Sequence, residues 1–332
     1  MTSAPPPTRS TGARLVALAR WVERRMLTRS PRLERVLLGV AIVMFVVALV
    51  VGYLTLPAIT GPIRWELLAL VALAGTPGTV LFISLEYVLG ARLLGLRVSV
   101  LEALRVSVLS SAANLLPLPG SVLVRTRELR RSGSSYRGAL TTLAAIGVLW
   151  VGTAALFAAG FLAPVRPVLA VVTGGAGLLF VVMGAVLARV LSTTPGVGPL
   201  IIQVIGVELG ATLIGTLRIF AVVTALGLPI TLPQAATLQL AGVVATASGI
   251  FPSGLGLREA LSGLVSPLIG LPVSVGLVSS AINRILDKLA LLPAALVLFL
   301  RSRRASTPSA RPADDADVDV VASADPEGAR ER

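Results

Sequence analysis

The sequence predicts an all-α polytopic membrane protein: about six full transmembrane helices plus two re-entrant broken-helix hairpins in an inverted repeat. Three observations predict it. Charged residues make up 14% of the 332 positions and the mean hydropathy is +0.89, whereas a soluble domain carries about 25% charged residues. Several apolar stretches exceed the roughly 18 residues needed to span a bilayer, without the short alternating strands of a β-barrel. Two further apolar stretches, 99–124 and 233–270, are broken by proline and glycine at nearly equal spacing.

Residues 1–36 form a polar, arginine-rich segment. Leu15, Leu18 and Val22 fall on one face among Arg14, Arg20, Arg24 and Arg25, the pattern of an amphipathic helix on the cytoplasmic surface. A plain topology anchor fits the same residues. Residues 37–304 form the transmembrane domain. Its full spans are predicted at 37–56, 67–90, 138–162, 168–190, 200–226 and 273–300, each an apolar run of bilayer length. Residues 305–332 are rich in Ala, Asp, Pro and Ser and hold seven acids, so a disordered acidic tail is expected.

Orientation follows from the arginines, which gather on cytoplasmic loops. Eight lie in 1–36, eight in 91–137 and three in 301–304, against one each in 57–66 and 163–167 and none in 227–233. Both termini are therefore expected in the cytoplasm, in a multi-pass protein of the plasma membrane. The first broken stretch then enters and leaves from the cytoplasm, and the second from outside. Without the tail, the chain carries 26 bases and nine acids. The bases hug membrane boundaries, so anionic lipid headgroups are the expected counter-charge, and nucleic acid is not.

There is no cysteine and no histidine. Disulfides, thiol nucleophiles, imidazole bases and the usual zinc, haem and iron–sulfur ligands are excluded, as is a Ser-His-Asp triad. No enzymatic activity, cofactor or metal is expected. The run "DDADVD" (314–319) lacks the glycine and the glutamate of a calcium loop. Gly206 and Gly210 form a GxxxG, expected to pack within the bundle.

The two broken stretches resemble each other. "VSVLEA" (98–103) parallels "ITLPQA" (230–235), and "PGSVLVR" (119–125) parallels "PSGLGLR" (252–258). Each ends on an arginine six residues after the proline, with Glu128 following Arg125 and Glu259 following Arg258. An apolar run of about 13 residues makes a helix of roughly 20 Å, short of a hydrocarbon core of about 30 Å. Its end groups must then be buried in protein or face a watery cavity. Helices restarting at Ser121 and Ser253 would present free amides and a partial positive charge to an anion. Gly254 and Gly256 would let the backbone approach a ligand. Opposed orientation of two such hairpins is the pattern of inverted-repeat transporters.

Charges near mid-span are costly unless they face an interior cavity. Glu208 and Arg218 share one span, where they are candidates for coupling. Arg284, Asp287 and Lys288 share one face of the last span. An Arg284–Asp287 pair is expected, leaving a cation for Glu208, Glu259 or a ligand phosphate. Glu86 is expected to cap its span. The candidate substrate-binding set is Arg125, Ser253, Gly254, Gly256, Arg258, Glu259, Arg284, Asp287 and Lys288.

The stretches "NLLPLPGSVLVR" (114–125), "GIFPSGLGLREALSGLVSPLIG" (249–270) and "SSAINRILDKLALL" (279–292) resemble the membrane region of lysylphosphatidylglycerol synthases and of its stand-alone, flippase-like relatives. The likeness covers roughly residues 37–300. It departs at Ile146, Gly147 and Trp150, where the family tends to carry a Glu-Arg pair and an acid. The resemblance implies a membrane domain that moves or holds an anionic lipid. No soluble aminoacyl-transferase domain is expected in the polar tail, so lipid aminoacylation is not.

The leading expectation is a lipid flippase or lipid-binding transporter. Its partner would be an anionic phospholipid or lipid-linked phosphate, held between the hairpin tips near Arg125, Arg258 and Arg284. Glu259 and Asp287 would hold those arginines in the empty state. Glu259→Gln is expected to harm function less than Arg258→Ala, because it removes a balancing charge and leaves the anion site standing. The alternative is a non-transporting accessory subunit in cell-envelope lipid or polysaccharide biosynthesis. Either could work beside a lipid-modifying enzyme or as a homo-oligomer.

Overall fold

A computed structural model describes residues 31–56, 62–113, 120–192, 194–251 and 254–305. The basic segment through residue 30 and the tail from 306 lie outside the described residues. Among the described residues there are helices and turns and no strand. The helices are α1 (Pro31–Thr55), α2 (Trp65–Leu93), α3 (Val100–Ala113), α4 (Gly120–Arg131), α5 (Tyr136–Leu162), α6 (Pro167–Leu191), α7 (Gly198–Ala225), α8 (Leu232–Ala247), α9 (Leu257–Val265) and α10 (Val273–Ala305). A π-turn at Val71–Gly75 interrupts α2.

Among the described residues five helices are long and apolar enough to cross a membrane: Arg35–Thr55 within α1, then α2, α5, α6 and α7. This makes the chain a membrane protein. The sixth expected span is α10, 33 residues long. Its length suffices, but Arg284, Asp287 and Lys288 stand close together near its middle. The first helix begins at Pro31, six residues inside the segment expected to be non-membrane.

Surface chemistry agrees with a bilayer. On α6, Val168, Val171, Val172, Leu179 and Val190 are exposed, as are Val36, Val43 and Val47 on α1. Polar side chains are instead buried inside, among them Thr76, Ser84, Ser107, Glu208, Thr212, Arg218 and Glu259. Water would invert that arrangement; lipid does not.

Each broken stretch folds as a pair of short helices packed on each other, α3 on α4 and α8 on α9. Their lengths are 14, 12, 16 and 9 residues, or roughly 21, 18, 24 and 14 Å. None reaches across a core of about 30 Å. The first break itself, 114–119, lies outside the described residues. The second restarts at Leu257, not at Ser253, because Gly254 and Gly256 adopt φ of 65° and 75°. A left-handed turn cannot belong to the helix that follows. Ser253 lies outside the described residues.

The same punctuation recurs in both halves. After α2, Gly95 (φ 73°) stops the helix and Leu96 N–H donates back to Ala91 O at 2.9 Å. After α7, Gly227 (φ 70°) does the same, with Leu228 N–H donating to Val223 O at 3.2 Å. This is the left-handed stop that glycine permits. Four residues after each glycine comes a cap. Glu102 N–H donates to Ser99 Oγ at 3.2 Å, and Thr231 N–H donates to Gln234 Oε1 at 2.8 Å in a capping box. Gly133 and Gly270 (φ 105° and 75°) then stand three residues before α5 and α10.

Packing follows the same scheme. Helix α3 lies on α10, and α8 lies on α5. Helix α1 packs on α10, and α6 on α5. Helices α2 and α7 meet at the centre. Laying α1–α5 on α6–α10 exchanges these pairs. The α5–α6 crossing is close, backbone against backbone: a Cβ on Gly152 would stand 2.6 Å from Val181 N, and one on Gly177 2.9 Å from Leu156 N. Of the GxxxG pair, Gly210 backs onto the Phe82 ring inside the bundle, while Gly206 faces open space.

Candidate functional site

Helix α10 supplies the centre of the site. Asn283, Arg284, Asp287 and Lys288 project toward α2, α7 and α9. The π-turn in α2 is the first element that prepares their surroundings. A π-turn offsets a helix face by one residue and is frequent at functional sites. Here it ends at Gly75, where an added Cβ would stand 2.8 Å from Arg218 Cγ. The missing side chain lets Arg218 cross from α7. Its Nη1 donates to Thr79 Oγ1 at 3.0 Å, and its Nη2 pairs with Asp287 Oδ1. Thr76 Oγ1 also donates to Asp287 Oδ1, at 3.0 Å.

The second pair joins α9 to α10. Arg284 Nε donates to Glu259 Oε1 at 2.9 Å, and its Nη2 donates to Gly254 O at 3.1 Å. Glu259 is fully buried, at 0% exposure. The expected Arg284–Asp287 pair is therefore replaced by two others. Helical spacing puts both residues on one face, but Arg218 and Glu259 reach that face from neighbouring helices. The ligand-approach role expected of the glycines also changes. A Cβ on Gly254 would meet Ala245 C at 3.1 Å, and one on Gly256 would meet Ala41 O at 2.8 Å. These glycines bring the loop close to α8 and α1. Gly254 still serves the site through its carbonyl.

Two cations remain. Arg258, half-buried on α9, lies against Gly242 of α8, where an added Cβ would stand 2.9 Å from its Nε. Its charged neighbours are Arg284, Asp287, Glu259 and Arg218. Lys288, the only lysine of the chain, is half-buried near Asp287, Arg284 and Arg258. Among the described residues neither has a hydrogen bond or ion pair. Lys288 and Asp287 line a cleft of about 90 Å³ together with Thr76, Thr79, Ser111 and the apolar Val80, Ile83 and Leu291. Ser111 comes from the end of α3, so the first hairpin contributes to the cleft.

Arg125 stands apart from this cluster. Its Nη1 pairs with Glu86 Oε1 at 2.9 Å, and these two are the charges nearest Glu208. Glu86 is a partner across helices, and not the expected cap. The three-arginine site expected at the hairpin tips is corrected accordingly. Arg258 and Arg284 share a cluster with Arg218, while Arg125 belongs to another on α2, α4 and α7. The reason is packing: α4 lies on α3 and α5, whereas α9 lies on α8, α10 and α1. Glu208 is 2% exposed and its Oε1 has no hydrogen-bond partner among the described residues.

Thr76, Thr79, Ser111, Gly75 and Gly242 were not signalled by the sequence. Threonine and glycine are ordinary in packed membrane helices, and only the helix arrangement gives these their place. What results is an integral membrane protein with a buried, positively charged cluster where its central helices meet. No known protein family, curated protein or solved structure matches the chain.

Proposed function

We propose that the protein binds the phosphate of an anionic lipid headgroup at this cluster and carries it between leaflets of the plasma membrane. The observation that carries this reading is the pair of cations without a hydrogen bond or ion pair among the described residues, Arg258 and Lys288, amid apolar helices. Uncompensated charge at that depth costs several kcal/mol. A chain keeps such charge where a ligand of opposite sign completes it. The arginine fork suits two phosphate oxygens, and the lysine supplies a compact point charge.

The architecture supports the transport half of the reading. Three long helices and one short hairpin make up each half. An odd number of crossings turns the second half upside down relative to the first. The matched glycine stops and caps at Gly95–Ser99 and Gly227–Thr231, and the exchanged packing of α3 on α10 and α8 on α5, are what such a repeat produces. Both termini then lie in the cytoplasm, and the hairpins enter from opposite sides. The resemblance to the lysylphosphatidylglycerol synthase membrane region points the same way.

Reconstitution tests it. Purified protein in vesicles should move headgroup- or chain-labelled phosphatidylglycerol across the bilayer. Arg258→Gln should abolish the movement and Arg258→Lys should restore little of it. Transport at the protein-free rate by the wild type would refute the translocase. Undiminished transport by Arg258→Gln would remove this arginine from the path.

A further inference from the structure

We infer that the site is built for a lipid phosphate monoester, a headgroup bearing two negative charges, in preference to the singly charged phosphodiester of common anionic phospholipids. The inference rests on the anion-site reading above and adds the ligand's charge to it.

Charge balance carries it. The cluster holds four cations, Arg218, Arg258, Arg284 and Lys288, and two anions, Glu259 and Asp287. Each anion is consumed by one arginine, Asp287 by Arg218 and Glu259 by Arg284. Among the described residues, two positive charges are left. The other elements packed around the cluster offer no compensating acid: α2 contributes the hydroxyls of Thr76 and Thr79, α3 that of Ser111, and α8 the neutral face at Gly242. The internal stretches outside the described residues, 57–61, 114–119, 193 and 252–253, contain no charged residue at all. Glu86 is paired with Arg125, and Glu208 lies beside that pair, apart from the cluster.

A phosphodiester would leave one cation uncompensated in a water-poor interior. A phosphate monoester carries about −1.5 to −2 at neutral pH and three acceptor oxygens. It matches both surplus charges at once. It also matches the donors: three N–H on Lys288, up to five on Arg258, and the Ser111 hydroxyl in the cleft. The cleft is part polar and part apolar, with Val80, Ile83 and Leu291 beside the hydroxyls. That lining suits a phosphate attached to a hydrocarbon chain more than free phosphate.

The test compares headgroups on the full chain in uncharged detergent at pH 8, where a monoester is fully ionised. Thermal stabilisation is titrated with phosphatidic acid, phosphatidylglycerol, phosphatidylcholine and inorganic phosphate. Phosphatidic acid should reach half-effect at a concentration about ten-fold below phosphatidylglycerol, with phosphatidylcholine ineffective. Lys288→Gln and Arg258→Gln should each bring that ratio toward one, since a single surplus cation remains. A ratio of one in the wild type overturns the monoester and leaves the anion site standing. Failure of both anionic lipids to exceed phosphatidylcholine overturns the inference together with the reading beneath it. Inorganic phosphate matching phosphatidic acid would keep the dianion and overturn the lipid as its carrier. A ten-fold ratio retained in both variants would overturn the charge balance as its cause.

Discussion

Glu259 and Arg258 are neighbours in the chain with opposite duties. Glu259 is fully buried and holds Arg284 at 2.9 Å. Removing its charge strands an arginine inside the protein, a loss of about 3–5 kcal/mol. Arg258 has no partner to strand among the described residues. Arg258→Gln should therefore be at least as stable as wild type in lipid-free detergent, because it removes an uncompensated charge, while Glu259→Gln should be clearly less stable. Equal losses in denaturant or thermal unfolding would contradict the assignment. Two glycines extend the contrast. Gly242→Ala would push the flexible Arg258 side chain aside, so it should spare the fold and weaken lipid-dependent stabilisation. Gly75→Ala would crowd Arg218 at its Cγ and disturb the Arg218–Asp287 pair, so it should lower stability without lipid. The acid–base pairings were not legible in the sequence. Spacing along one helix shows which charges share a face, but the partner is set by which helix lies opposite.

At the scale of elements the sequence was far more legible. Each predicted span coincides with a helix, and 138–162 and 168–190 fall within one or two residues of α5 and α6. Apolar length dominates at membrane depth because an unpaired backbone group costs more than any local propensity. The broken stretches were legible for the same reason, since a helix of 14 residues cannot cross. The restart at Leu257 was not, because which glycines turn left-handed depends on the walls at α1 and α8. The α5–α6 crossing was also hidden. Gly152 is one of 32 glycines, and only its position opposite Gly177 gives it weight. Gly152→Val should cost on the order of 1–3 kcal/mol or more through overpacking. Gly160→Val, on the same helix with nothing within 4 Å, should be nearly neutral. Similar unfolding midpoints for the two variants would mean that the crossing is looser than described.

At the scale of the whole molecule the proposal is two halves facing opposite sides, and that arrangement has a clean test because the chain has no cysteine. Arg97 and Arg131 flank the first hairpin; Leu232 and Leu268 flank the second; all four are exposed. Single cysteines at Arg97 and Arg131 should both be protected from an impermeant thiol reagent in intact cells. Those at Leu232 and Leu268 should both react. Opposite labelling within either pair would mean that the hairpin crosses fully, and the inverted repeat would be lost. The central claim, that this arrangement encloses an anion site completed by Arg258, is tested most directly by lipid-dependent stability. Thermal unfolding of wild type and Arg258→Gln is followed with and without phosphatidylglycerol, with phosphatidylcholine as the control. The account predicts an Arg258→Gln midpoint no lower than wild type without anionic lipid, and a clear upward shift with it in wild type that Arg258→Gln largely loses. An equal shift in both proteins, or none in either, would contradict it.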